Sequence, residues 1–397
     1  DKLLPLIKQA EVMAQKYDVV VTNPPYMGAS GMNAKLSEYV KTNYPDSKSD
    51  LFSCCIEKGN NMTVKNGFNS MVTMQSWMFL SSFEKMRLNC LNKFSISTLM
   101  HMENMVMGIA FGTAVTIFRN ALIKKYKGTY NQIKLQDIAN EKPKEFPVSG
   151  NRFTQVSTEN FSKIPGSPVA YWEGVNTFNT FETIPSLKSF GKTTKGIITG
   201  NNDKYLRQWW EIDNHTISFN STSIEESIFS EKKWFPICKG GSFRKWYGNK
   251  ENVINWLNNG YDILQLADYE HRHSQDYYPE LKFKKGISWS SITSGNTSFR
   301  AESNNLVEHI GLSVFLYENG LYNYILGFLN SKVSESWLHF LSPTITKNAG
   351  EIEKLPIKIV EGEKVSVTEL VDNCIIQSKA DWDSFETSWD FKKHPLI

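Results

Sequence analysis

A chain of 397 residues exceeds the average domain of about 150 residues and predicts two or three domains. Hydrophobic residues at 40% and charged residues at 21% give an ordinary globular balance. No apolar run reaches the ~18 residues a bilayer span needs, so the chain reads as a soluble cytoplasmic protein without a membrane partner. A formal net charge of +3 excludes a strongly basic composition, and any nucleic-acid face has to come from local clusters. Five scattered cysteines without a CxxC pair argue against a disulfide framework and a zinc site.

The chain opens Asp1-Lys2-Leu3-Leu4, with no initiator Met, basic n-region or apolar h-region, which reads as an internal starting point. Residues 1 to 17 carry Leu3, Leu4, Ile7, Ala10, Met13 and Ala14 at helical spacing. The apolar strand Asp18-Val19-Val20-Val21 follows and stops at Thr22-Asn23-Pro24-Pro25-Tyr26, because two prolines cannot continue a sheet interior. A helix is predicted over 50 to 59, a buried strand over 67 to 74, a helix over 81 to 92, and strands over 96 to 101 and 113 to 118. This order predicts an α/β fold, the second half of a doubly wound Rossmann-like sheet whose last strands form a hairpin.

From about Lys124 the texture turns polar and Lys-rich with Pro143, Pro147 and Pro165, which reads as a crossing between domains. Residues 166 to 360 hold short aromatic runs punctuated by Gly, Asn and Ser, as in an irregular α+β domain, and a partly helical tail follows over 361 to 397. Within that stretch, Leu326 to Trp337 reads as a helix with a docking loop after it.

Asn23-Pro24-Pro25-Tyr26 is the stretch that carries chemistry. Methylating an exocyclic amine is difficult because the nitrogen lone pair is delocalised into the ring. A site that accepts both N–H hydrogens turns that lone pair toward the incoming methyl group. The Asn23 side-chain oxygen and the Pro24 backbone carbonyl are suitable acceptors, and the prolines fix the loop in advance of binding. Tyr26 offers a flat face to a base extruded from the duplex. Taken alone, the same four residues also make a stiff turn.

In this context the loop resembles the catalytic motif of amino-methyltransferases. Downstream strings are similar to the gamma-type N6-adenine DNA methyltransferases: Asp50-Leu51-Phe52, Ile56-Glu57-Lys58-Gly59, Gly67 to Leu80, and Phe111-Gly112-Thr113-Ala114. The resemblance is closest to the PglX family of BREX phage-defence systems, and extends to Gly196 to Asp203, Lys232 to Tyr247 and Asp381 to Asp390. It implies residues 1–123 as a partial methyltransferase catalytic domain, 124–165 as a linker, 166–360 as a target-recognition domain and 361–397 as a tail. It implies S-adenosylmethionine as cofactor, bound through a Gly-containing strand-to-helix loop and an acidic residue upstream of the catalytic loop. Only 22 residues precede Asn23, so that site is expected upstream of Asp1 and the isolated chain is expected to be inactive.

Other residues have two readings each. Trp77 and Phe79 fit either the core or the substrate cleft, and Phe111 either packs or supplies a second aromatic against the extruded base. Arg244 and Lys245 after Gly240-Gly241 are candidates for DNA phosphate or base contacts, or form the solvated face of a hairpin. Lys282, Lys284, Lys285 and Arg300 form a second candidate strip. His271-Arg272-His273 has no third ligand at a recognisable spacing, so no metal is expected.

The leading function is site-specific transfer of a methyl group to adenine N6 of double-stranded DNA, in phage defence or restriction-modification, alongside other proteins of a defence complex. The alternatives are an RNA or protein-amide methyltransferase and a DNA-binding specificity subunit without turnover.

Overall fold

The computed structural model describes residues 3–140, 142–148, 153–269, 276–394 and 396. The His271-Arg272-His273 stretch lies outside them. The chain forms two units, Asp1–Thr183 and Ile184–Ile397. Among the described residues no helix is long and apolar enough to cross a membrane.

The first unit runs α1 (Leu3–Ala14), β1 (Tyr17–Thr22), α2 (Ala34–Asn43), α3 (Leu51–Met62), β2 (Thr63–Met74), α4 (Glu84–Lys93), β3 (Ser95–Met102), β4 (Thr113–Arg119), β5 (Lys127–Ile133) and β6 (Phe153–Ser157). Its six strands lie in the order β1-β2-β4-β3-β5-β6. β1 is parallel to β2 and β3 to β5, whereas β4 is antiparallel to both its neighbours, so the sheet is mixed. The parallel β1-β2 pair needs a crossover, and α3 supplies it. Gly59 lets that helix approach the sheet: a Cβ there would lie 2.4 Å from Met71 Cε. Along β2, Asn69, Met71 and Thr73 alternate inward, and the Asn69 amide donates to Asn60 Oδ1 on α3 at 2.9 Å.

Trp77 is fully buried with its ring centroid 5.7 Å from that of Phe118, which settles it in the core with Phe52, Ile96 and Leu99. Residues 124–165, expected to be a crossing, instead supply β5 and β6. The sequence texture misled because β5 (KGTYNQI) is polar in composition, yet Tyr130, Asn131 and Ile133 are buried. The chain divides between Thr183 and Ile184 and not near 165. Buried Arg87 on α4 fastens the segment after β6, its Nε donating to the Gly166 carbonyl at 2.9 Å and its Nη1 to Trp77 O at 2.7 Å.

The periodic helix α1 has its apolar residues exposed, including Leu3, Leu4, Leu6 and Ile7. Val19 and Val21 of β1 are also exposed, and β1 has no strand on its second edge among the described residues.

The second unit is α+β. One sheet orders Leu206–Gln208, Asn252–Asn255, Trp234–Cys238 and Leu306–Val307; another orders Phe299–Glu302, Gly286–Trp289, Ser313–Leu316 and Gly191–Thr194. The single helix expected over 326 to 337 is two, Tyr322–Leu329 and Lys332–Leu341. Asn330 breaks it by turning its amide onto Phe299, accepting from that N–H at 3.0 Å and donating to that carbonyl at 2.9 Å, while Ser331 caps the second helix. The tail helix Lys364–Trp382 packs against the first of them at Gly327, where an added Cβ would stand 2.9 Å from Val371 Cγ2.

Candidate active site

The strand β1 ends where Asn23-Pro24-Pro25 begins, since proline supplies no N–H to the ladder and fixes φ. Pro24 is buried and Asn23 and Pro25 are exposed, so the loop is anchored at one proline and presents the asparagine. Half-buried Tyr26 turns back beneath it. Its hydroxyl is 3.2 Å from Asn23 Oδ1 and 3.2 Å from the Val72 carbonyl, both acceptors, so one O–H is shared between the two. Burial raises the Tyr26 pKa above its ordinary value, which keeps the phenol protonated as that donor.

Two rings meet Tyr26 edge-on: Phe52 from the start of α3, with centroids 6.1 Å apart, and Phe111 from the residues before β4, at 5.8 Å. The structure thus brings Asn23, Tyr26 and Phe111 together from segments far apart in sequence. All lie at the carboxyl end of the parallel strands, the edge where α/β sheets bind ligands.

Asp50 completes the loop's support. Its buried carboxylate caps α3 by accepting from Phe52 N–H at 3.2 Å and accepts from Met27 N–H at 3.0 Å. The Leu51 N–H donates in turn to Met27 O at 2.9 Å. An Asp directly before an apolar helical run is the usual N-cap signal, but nothing local in sequence tells that the same oxygen reaches a residue 23 positions earlier.

Past the loop, β2 ends at Met74 and is followed by Gln75, whose N–H donates to the Gly112 carbonyl at 3.0 Å. Buried His101 near the end of β3 faces Gln75 Oε1 at 2.5 Å through Nε2 and the Tyr171 hydroxyl at 3.0 Å through Nδ1. A carboxamide oxygen can only accept, so Nε2 carries the imidazole proton and Nδ1 accepts from Tyr171.

The basic strips fare differently. Lys282 is buried and paired with Asp276 at 2.5 Å, and Arg300 is fully buried among Ser290, Ser298 and the Arg244 carbonyl. Neither is available as a DNA contact, because Lys282 after a short 3-10 turn and Arg300 within its strand turn inward onto buried acceptors. Arg244 pairs with Asp381 at 2.9 Å and lies 4.9 Å over the Trp382 ring, and Lys245 donates to Asn330 O at 2.8 Å. These two fasten the tail helix and the helix break. Lys284 and Lys285 are exposed, with Lys285 Nζ 3.8 Å over the Tyr322 ring.

The Gly-containing turn that the resemblance implies for the cofactor does not occur beside β1 among the described residues. These residues also hold no group of three or more His, Cys, Asp or Glu arranged for a metal ion.

A mixed α/β sheet with this proline-fixed loop at its carboxyl edge has the form of a methylase domain. Residues 5–107 match the family model described as Eco57I restriction-modification methylase. The whole chain is similar to Adenine-specific methyltransferase BrxX of Escherichia coli O9:H4 (strain HS), 36% identical, covering 100% of this chain and 32% of that protein. It is 34% identical to Adenine-specific methyltransferase PglX of Lacticaseibacillus casei (strain Zhang), covering 99% and 33%. The chain is a relative of these adenine-specific methyltransferases, as its motifs implied, and spans about a third of their length. Among solved structures, the Type IIL restriction-modification enzyme MmeI in complex with DNA shares the fold with a TM-score of 0.56 at 12% identity, covering 94% of this chain and 50% of that one.

Proposed function

We propose that this chain carries the base-binding part of a site-specific DNA methyltransferase that modifies adenine at N6. The observation that carries this reading is the convergence of Asn23, Tyr26 and Phe111 at one sheet edge, in a chain similar along its length to adenine-specific methyltransferases. In this reading the extruded adenine packs against the Tyr26 ring and the Phe111 ring that meets it edge-on, which together form one corner of the clamp. Its two N6 hydrogens are accepted by Asn23 Oδ1 and the Pro24 carbonyl. The lone pair then points out of the ring plane as a nucleophile. The Tyr26 hydroxyl holds Asn23 Oδ1 in the accepting orientation, and Asp50 holds the loop. No general base is needed, because the methylated nitrogen sheds its surplus proton to water.

S-adenosylmethionine, the donor that methyltransferase relatives imply, would supply an electrophilic methyl group when bound. The residues present do not fit its cradle: β1 has no further strand beside it among the described residues, and no glycine turn leads from such a strand. We read the sheet as the second half of a doubly wound one. The exposed edge of β1 and the apolar residues of α1 are then where the other half docks.

The second unit is the target-recognition region in this reading, and double-stranded DNA is the partner. Lys284 and Lys285 are its remaining exposed candidates for phosphate. The test is to incubate the full-length protein with donor and duplex DNA, digest to nucleosides and quantify N6-methyladenine by mass spectrometry. Methylated adenine supports the reading. DNA binding without methylated adenine overturns it in favour of a recognition subunit, and methylation of RNA or protein alone overturns its substrate.

A further inference from the structure

The mechanism leaves one buried titratable group at the same sheet edge unused. His101 is enclosed by Gln75, Tyr171, Phe79 and Trp172, the last with its ring stacked at 24° and 6.3 Å. A buried histidine with both nitrogens engaged is a fixed strut. What it fixes is the Gln75 carboxamide, and that group lies against Gly112: a Cβ built on Gly112 would meet Gln75 Cδ at 2.4 Å, Oε1 at 2.4 Å and Nε2 at 2.6 Å. The backbone closes the same contact through the 3.0 Å bond from Gln75 N–H to Gly112 O. Gly112 directly follows Phe111, whose ring meets Tyr26.

We propose that Gln75, locked by His101 and Tyr171, is a positioning residue that sets the Phe111 wall of the adenine clamp through the side-chain-free surface of Gly112. The inference rests on the amine-methylation reading above. Three features carry it together. The Gln75 amide is oriented by a donor that accepts no alternative partner, the contact surface exists only because residue 112 is glycine, and the moved element is one residue from the clamp ring. Burial pushes His101 down to about 4, so the strut stays neutral and keeps one tautomer at ordinary pH. Displacing a clamp wall by a fraction of an ångström degrades alignment for transfer more than it degrades DNA binding, which in the reading above draws on phosphate contacts of the second unit.

The experiment is a double-mutant cycle on methyl transfer by the full-length protein, with DNA affinity and thermal unfolding measured in parallel. Gln75→Ala and Phe111→Ala should each lower kcat by about 10- to 100-fold, with the DNA Kd within about threefold. The double variant should fall no more than about twofold below the worse single, because both remove the same wall. Gly112→Ala should be costly alone and close to neutral in the Gln75→Ala background, where the carboxamide it would strike is gone. Gln75→Met, which keeps the volume but cannot accept from His101, provides the same comparison if the alanine variant fails to fold. Multiplicative losses, or Gly112→Ala being equally harmful in both backgrounds, overturn the positioning role. If Asn23→Ala still abolishes transfer, the amine site survives that failure. A wild-type protein that leaves adenine unmethylated removes the amine site and this inference together.

Discussion

The Tyr26 hydroxyl makes the smallest separable contribution to the site. Tyr26→Phe keeps the ring against Phe52 and Phe111 but frees Asn23 Oδ1 from its 3.2 Å donor. A net hydrogen bond of about 1 kcal/mol predicts a five- to tenfold lower kcat. Tyr26→Ala, which also loses the stacking face, should cost at least about tenfold more. Single-turnover kinetics on both variants checks the order; equal losses would assign Tyr26 to its hydroxyl alone, and an unchanged Tyr26→Phe would assign it to stacking alone. At the same scale, His101 makes stability depend on pH. Its folded-state pKa of about 4 lies below the ordinary value of 6.5, so the unfolded chain takes up the proton first as pH falls. The stability it contributes is complete above about pH 6.5 and is lost toward pH 4, amounting to about 2 kcal/mol at pH 5. Urea titrations at about pH 7 and pH 5 should show this loss in the wild type and a smaller one in His101→Asn.

At the scale of elements, Asp50 joins a loop to a helix through one carboxylate. Asp50→Ala removes the cap on α3 and the Met27 tether together. It should cost about 1–2 kcal/mol of stability and lower kcat beyond what destabilisation explains. Asp50→Asn, which retains an accepting oxygen, should recover most of both, as denaturation and rate measurements would show. The tail helix Lys364–Trp382 offers a second case. Arg244 clamps its end through Asp381 and Trp382. Arg244→Ala should therefore speed proteolysis near that end while leaving the salt dependence of DNA binding unchanged; a flattened salt slope would return Arg244 to the DNA interface. Elements with strong local patterns were legible in the sequence: α3, β2, the β3-β4 hairpin and the proline-terminated β1. β5 was not, because its burial comes from pairing with β3, and the break at Asn330 was not, because it depends on a backbone partner in another strand. Within the candidate site, the Asn23 to Tyr26 loop was legible as a proline-fixed turn, whereas the contact of Phe111 with Tyr26 depends on a strand register that sequence does not give. Arg300 and Lys282, DNA-contact candidates by sequence, are buried, because a cation's burial depends on partners that sequence order does not reveal.

At the scale of the whole molecule, the chain spans about a third of the length of its curated relatives, and its β1 edge and α1 surface are apolar and exposed. The isolated chain should show no measurable S-adenosylmethionine binding by calorimetry, because its described residues do not make the cradle. A micromolar dissociation constant would mean that the second half-sheet is not required. The central claim, that Asn23 accepts from the adenine amine in the transition state, is tested most directly by Asn23→Ala in the full-length protein. Methyl transfer to duplex DNA should be followed alongside fluorescence-anisotropy binding. Losing one preorganised acceptor costs about 3 kcal/mol or more, so transfer should fall at least about 100-fold while DNA affinity stays within a few-fold. Transfer within about tenfold of wild type, or a parallel loss of DNA binding and fold, would contradict the assignment.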